Sequence, residues 1–244
     1  MQGQATVGIV PCALFRELIA HVSIADGIAF AIFVVGWFGY GYYADYGVRD
    51  KSRGLRAATN AHRLQWARQM VRRDNRMTDV ALTGNLMQSV SFYASTTTYV
   101  IAGVIAVAGT LDRLISMTAD LPFARVSAKE VVEMKVLLLA GIFIFAYFKF
   151  TWALRQFNFL SIMVGGAPSC SEPETVLEPY AQKFALLSAL AGEEFNRGVR
   201  AYYFGFAAMT WFISPHHFIG FTIIVLFVLW RREFHSRTLH VLAD

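Results

Sequence analysis

The chain has 244 residues, 56% of them hydrophobic and only 16% charged, with 21 phenylalanines and a mean hydropathy of +0.44. Soluble domains carry about a quarter charged residues, so this composition excludes an ordinary soluble fold and fits one integral membrane domain over 1–244. The formal charge of +5 sits in basic residues beside apolar blocks, which suits anionic lipid and excludes nucleic acid as the natural partner.

In chain order, Met1–Thr6 carries no positive charge, and Pro11, Arg16 and Glu17 interrupt the apolar run, so the start does not read as a signal peptide. Span 1 is expected over Val22–Tyr43, interrupted by one charge, Asp26, and closed by the aromatic belt Trp37–Tyr43. The next stretch, 44–79, holds nine basic residues: Arg49, Lys51, Arg53, Arg56, Arg63, Arg68, Arg72, Arg73 and Arg76. Lys and Arg mark the cytoplasmic side, so the loop is read as cytoplasmic and the N-terminus as outside. Within it, Leu64–Met77 has helical spacing, with Trp66, Met70, Arg73 and Met77 on one face. This helix either lies on the inner leaflet or packs against cytoplasmic neighbours.

Span 2 is expected over 80–109 and span 3 over 136–157, joined by an external linker, Leu111–Lys135, with balanced charge. The segment Gly165–Pro179, with Pro168, Pro173 and Pro179, reads as a loop, with a helix restarting near Tyr180. The last apolar stretch is split by Ser214-Pro215-His216-His217 into 199–213 and 215–230. Each half is short against a hydrocarbon core of about 30 Å. The halves make either two short spans or a re-entrant hairpin. The fold class is therefore all-α, a polytopic helical membrane protein of about five segments. Its C-terminus, with Arg231, Arg232 and Arg237, is cytoplasmic. Cys12 and Cys170 then lie on opposite sides of the membrane and form no disulfide.

Two groups of polar residues stand out. On span 2, a stripe of Asn85, Gln88, Ser91, Ser95 and Thr98 faces opposite Leu86, Val90, Tyr93, Thr97, Val100, Val104 and Val107. The stripe is either a helix-packing face or the wall of a polar path, with the opposite face toward lipid. At the cytoplasmic level, Lys149, Arg155 and Asn158 of span 3 approach Glu193, Glu194, Asn196, Arg197 and Arg200. Lys149 either snorkels to the interface or pairs with Glu193 or Glu194. Glu193 and Arg197 have the favourable i, i+4 order. His216-His217 lack the i, i+4 spacing of helical metal ligands, and no nucleotide loop, nucleophile elbow or zinc pattern occurs. No catalytic, cofactor or metal residues are assigned, the cofactor is unknown, and an enzyme is the least favoured class.

The words RDNRMTDVALTGNLMQSVSFYASTT (Arg73–Thr97), KFTWALRQFNF (Lys149–Phe159), GEEFNRGVRAYYF (Gly192–Phe204) and RREF (Arg231–Phe234) occur in order. Together they resemble a family of bacterial and plant membrane proteins catalogued as domain of unknown function 599. The resemblance covers the chain beyond about Val22 and implies an integral membrane protein with several spans. It brings no activity, cofactor or binding residue. The reading that results is a bacterial inner-membrane protein that conducts or transports ions or small polar solutes, as a homo-oligomer. The alternative is a structural or assembly subunit of a larger membrane complex.

The charge asymmetry predicts an orientation. With Cys12 and Cys170 removed, a cysteine at Ser127 reacts with an impermeant thiol reagent on intact cells and one at Ser52 does not. The opposite labelling pattern overturns the topology.

Overall fold

The computed structural model describes residues 23–47, 54–111 and 129–243. Expectations on Cys12, on Arg49, Lys51 and Arg53, and on linker residues 112–128 lie outside these residues. Among these residues seven α-helices follow one another: α1 Ile24–Tyr42, α2 Leu55–Val71, α3 Met77–Gly109, α4 Lys129–Gly165, α5 Glu174–Met209, α6 Pro215–Phe234 and α7 Arg237–Ala243. No strand occurs among the described residues. Among the described residues three stretches are long and apolar enough to cross a bilayer: Ile24–Asp45, Met77–Gly109 and Lys129–Gly165.

Several boundaries differ from expectation, each for a physical reason. The helix expected over Leu64–Met77 is instead Leu55–Val71, and Met77 opens α3 with 76% of its surface exposed. The carbonyls of Gln69 and Met70 close the turn after Val71 by accepting the Arg72 and Arg73 N–H groups, so the expected face of Arg73 and Met77 does not form. Residues 199–213 do not form a helix of their own. Val199 lies in the middle of α5, a single helix beginning at Glu174 after Pro173. The charges near residue 197 break the apolar run but not the helix, because they point into partners described below. Pro179 stands inside α5, only six residues from its start, where few backbone hydrogen bonds depend on it. The linker expected over Leu111–Lys135 is shorter than that range, because α4 starts at Lys129 and already buries Lys135.

At 33, 37 and 36 residues, α3, α4 and α5 each run roughly 50–55 Å. That exceeds a hydrocarbon core of about 30 Å. The central layer is α4, packed on α3 at one side and on α5 at the other. Beyond α5 come α6 and then α1, while α2 lies across α5 and carries α7. Gly198 and Gly205 let α4 and α5 approach closely. A Cβ at Gly198 would come 2.5 Å from the Phe150 ring, and one at Gly205 would come 3.0 Å from Phe143. Small residues at such a seam allow close contact where lipid offers no hydrophobic drive.

The middle of the bundle is aromatic. Phe33 meets Phe204 and Phe218 at ring separations of 5.6 and 4.9 Å, and Phe150 meets Tyr93, Phe195 and Tyr202 at 5.4, 5.6 and 5.8 Å. Such pairs add about 0.5–1.5 kcal/mol each beyond area burial. Thr97 on α3 and the Tyr202 hydroxyl on α5 share a hydrogen bond of 2.7 Å through this layer.

The facing of α3 departs in part from the expected one: Leu86 and Val107 lie outward as expected, but the middle of that face turns inward. Val90, Ala94, Thr97 and Val104 are buried, while Asn85, Gln88, Ser95 and Thr98 are exposed and Ser91 is half-buried. Branched and aromatic side chains bury more apolar area than serine or glycine, so the Val90–Thr97 face takes the packing. The outward hydroxyls are partly satisfied within their own helix: Ser89 donates to the Asn85 carbonyl at 3.0 Å, and Thr98 to the Ala94 carbonyl at 3.3 Å. That back-bonding lets a polar stripe sit on an outer surface.

Two polar ends flank the aromatic middle. At one, the Trp211 indole N–H donates to Asp26 at 2.7 Å, and the Lys135 ammonium donates to the Trp211 carbonyl at 3.1 Å and lies 3.9 Å from Asp26. The other end is organised around Asp45. Farther along the same two helices, Arg68 of α2 holds Glu178 of α5 in a fork. The Arg68 hydrogen bonds pull the Glu178 carboxyl down to about 2. The pair is therefore intact above the ordinary glutamate range and is lost only as pH falls through about 2.

Candidate functional site

The site begins with the end of α1. Tyr43–Gly47 continues the helix as a π-helical turn, a local widening found often at functional sites. This turn places Asp45 against α5. On α5, Glu193, Glu194, Arg197 and Arg200 recur at helical spacing and so project from neighbouring positions of one surface.

Their bonds form a chain that joins α4, α5, the turn after α1, α2 and α6. The Lys149 ammonium of α4 donates to Glu194 at 2.8 Å. Arg197 donates to the other Glu194 oxygen at 2.6 Å and, through Nε, to Asp45 at 2.9 Å. Arg200 donates to both Asp45 oxygens, at 2.8 and 3.0 Å. From α2, Arg56 donates to the Asp45 backbone carbonyl at 2.8 Å and forms an ion pair with Glu193. The Arg56 backbone N–H in turn donates to Glu233 of α6 at 3.2 Å. Glu233 thus caps the open N-terminal end of α2, where a negative charge also suits the helix dipole. Asp45 retains 14% side-chain exposure and Arg200 16%, so the network is largely withdrawn from solvent.

A cavity of about 260 Å³ lies against this network. Four arginines, Arg56, Arg63, Arg200 and Arg232, face three carboxylates, Asp45, Glu193 and Glu233, with Tyr40, Asn196 and Tyr203 beside them. Arg63 rests flat on Gly192, where an added Cβ would collide with its guanidinium. Burial pulls the Arg63 pKa below the usual arginine range, opposed by the charge of Glu193.

Several expected residues meet here, and others do not. Lys149, Glu193, Glu194, Arg197 and Arg200 do converge, and Asn196 lines the cavity. Lys149 bonds a carboxylate rather than snorkelling. Glu193 reaches Arg56 on another helix, and the bonded i, i+3 partner of Arg197 is Glu194. Arg155 and Asn158 stand exposed on the far face of α4, where Arg155 lies 5.7 Å from the Phe159 ring. The stripe of Asn85, Gln88, Ser91, Ser95 and Thr98 contributes nothing to the cavity, so one chain does not join stripe and charges into a single path. Asp45, Arg56, Arg63, Arg232 and Glu233 escaped the sequence reading. The available signal was an acidic residue directly after an aromatic belt and before an arginine-rich segment.

An all-helical protein with three bilayer-length apolar helices and a buried charge network at one bundle end is thereby defined. It belongs to the family described as Protein of unknown function, DUF599, whose pattern matches residues 28–238, in agreement with the resemblance of the four sequence words. No curated protein and no solved structure matches the chain.

The network predicts unequal roles for two neighbouring cations. Lys149→Gln lowers unfolding stability in detergent by about 1.5–3 kcal/mol, the size of a lost charged hydrogen bond. Arg155→Gln changes it by less than about 0.5 kcal/mol, as surface substitutions do. Equal losses in the two variants contradict the placement of Arg155.

Proposed function

We propose that this protein is a multi-pass protein of a bacterial inner membrane that moves a small polar solute or ion across the bilayer. The observation that carries this reading is a polar cavity at one end of the bundle, separated from a second polar cluster by a packed aromatic layer. A wide open pore through one chain is disfavoured by the Phe33, Phe150, Phe204 and Phe218 packing, all four being buried. A transporter that opens its two ends in turn fits better than a permanently open channel.

The topology that accompanies this reading has five spans. The basic residues of α2 lie at the Asp45 end, so the positive-inside rule assigns that end to the cytoplasm and the Asp26–Trp211 end to the outside. The 20 residues of α6 extend about 30 Å, the thickness of the hydrocarbon core. Its start adjoins Trp211, and its last turn carries Arg232 and Glu233 at the cavity. Both facts support a crossing over a re-entrant hairpin, with the N-terminus outside and the C-terminus cytoplasmic.

The second reading is a subunit of a homo-oligomer or of a larger membrane complex. It is favoured by the outward stripe of α3, where the Asn85 and Gln88 amides have no side-chain partner among the described residues. Amides at hydrocarbon depth are costly unless satisfied, and a neighbouring chain would satisfy them.

Flux separates the readings. Purified protein alone in liposomes gives saturable flux of at least one small ion or solute above empty liposomes. Absence of flux across a panel of ions and voltages, from protein with retained helicity and a discrete mass, removes the transport reading and favours the subunit.

A further inference from the structure

We propose that the cavity beside Asp45 is a binding site for a phosphate group, either free or as a phosphate monoester. This inference deepens the solute-site reading of the same cavity and rests on it for the ligand's entry, but not for its chemistry.

The argument starts from which charges are already matched. Asp45 accepts from Arg197 and Arg200, Glu194 from Lys149 and Arg197, and Glu193 from Arg56. Glu233 accepts from the Arg56 backbone N–H. Two cavity arginines then stand without a carboxylate within ion-pair distance among the described residues. Arg63 donates only to the Asn60 side-chain oxygen, at 2.9 Å. Arg232 donates only to the Tyr203 hydroxyl, and its guanidinium lies 5.7 Å from that ring. A guanidinium offers five N–H donors, so most of the donors on both groups are unmatched.

The charge and shape of those donors select the ligand. Taken with the network beside it, the cavity sets six cations, Lys149, Arg56, Arg63, Arg197, Arg200 and Arg232, against four carboxylates, Asp45, Glu193, Glu194 and Glu233, an excess that an anion of nearly two charges would balance. A phosphate monoester carries roughly −1.5 to −2 at pH 7. Its oxygens suit the planar forks of arginine. The Arg63 fork is held in place because Gly192 leaves room for it against α5. Asn196 adds a neutral amide to the wall. The volume of about 260 Å³ is just below the ~300–1,000 Å³ of drug-sized sites, which suits a compact headgroup.

The shared chemistry is a phosphate group, and its two sources are a free anion and the headgroup of a phosphatidate lipid. The full chain in detergent is titrated with radiolabelled inorganic phosphate, and in parallel its retention of phosphatidate is measured by native mass spectrometry. Saturable phosphate binding at one per chain is expected, weakened at least about tenfold by Arg63→Gln and by Arg232→Gln. Arg72→Gln, which alters an exposed pair with Glu174, leaves it unchanged. Retention of phosphatidate with the same variant pattern, without phosphate binding, assigns the site to the lipid headgroup. Because Arg232 is exposed, its variant keeps the test valid should Arg63→Gln unfold the protein. Binding of neither probe, or equal binding in the Arg232→Gln and Arg72→Gln variants, overturns the proposal. Binding without liposome flux keeps this site and removes transport. Flux of other solutes without either kind of binding does the reverse.

Discussion

Asp45 is a carboxylate set at the end of an apolar helix, and two guanidiniums of α5 meet it at 2.8–3.0 Å. A charge withdrawn from water is costly unless paired and hydrogen-bonded. Asp45 is therefore tolerated only where Arg197 and Arg200 already stand, and they in turn need Asp45 and Glu194. Its backbone carbonyl accepts from Arg56, which brings α2 to the same point. One residue thus fixes the end of α1, the face of α5 and the start of α2. Beyond it, Glu194 and Lys149 extend the link to α4.

The opposite end repeats the logic with fewer parts. Asp26 of α1, Lys135 of α4 and Trp211 after α5 are each nearly buried and each bonded to another of the three. Between the ends, among the described residues, aromatic and aliphatic packing and the Thr97–Tyr202 bond connect the helices. Two polar anchors with an apolar middle set the register of α1, α4 and α5 along their common axis. A helix slipping by one turn would strand charges at both ends at once. The arrangement also explains why the cavity lies at the Asp45 end, where long arginines hold α2 and α6 against α5 around polar rather than close-packed contacts.

The long helices were legible in the sequence because apolar runs and basic flanks are local signals. The convergence of Lys149 with Glu194 was legible too, since a lone lysine in an apolar helix demands a partner. Asp45, Arg56 and Arg63 were not, because their partners lie 137 or more residues away or depend on a glycine on another helix. The facing of α3 was misread for a different reason. Hydroxyl groups look as though they need a protein partner, yet serine and threonine bond their own helix, and burial went to Val90, Ala94 and Thr97. The apolar stretch reads from Val199 because charges precede it, and the helix from about Tyr180, whereas α5 carries those charges within one helix that starts at Glu174. On α5 the charges are the inward face.

A double-mutant cycle between Asp45 and Arg200 tests the central claim most directly. Unfolding free energies in detergent are compared for Asp45→Asn, Arg200→Gln and the pair together. If Asp45 organises this end of the bundle, the two losses couple by at least about 1 kcal/mol, as contacting charges in one network do. Losses that add to within about 0.3–0.5 kcal/mol, the behaviour of independent sites, would contradict it.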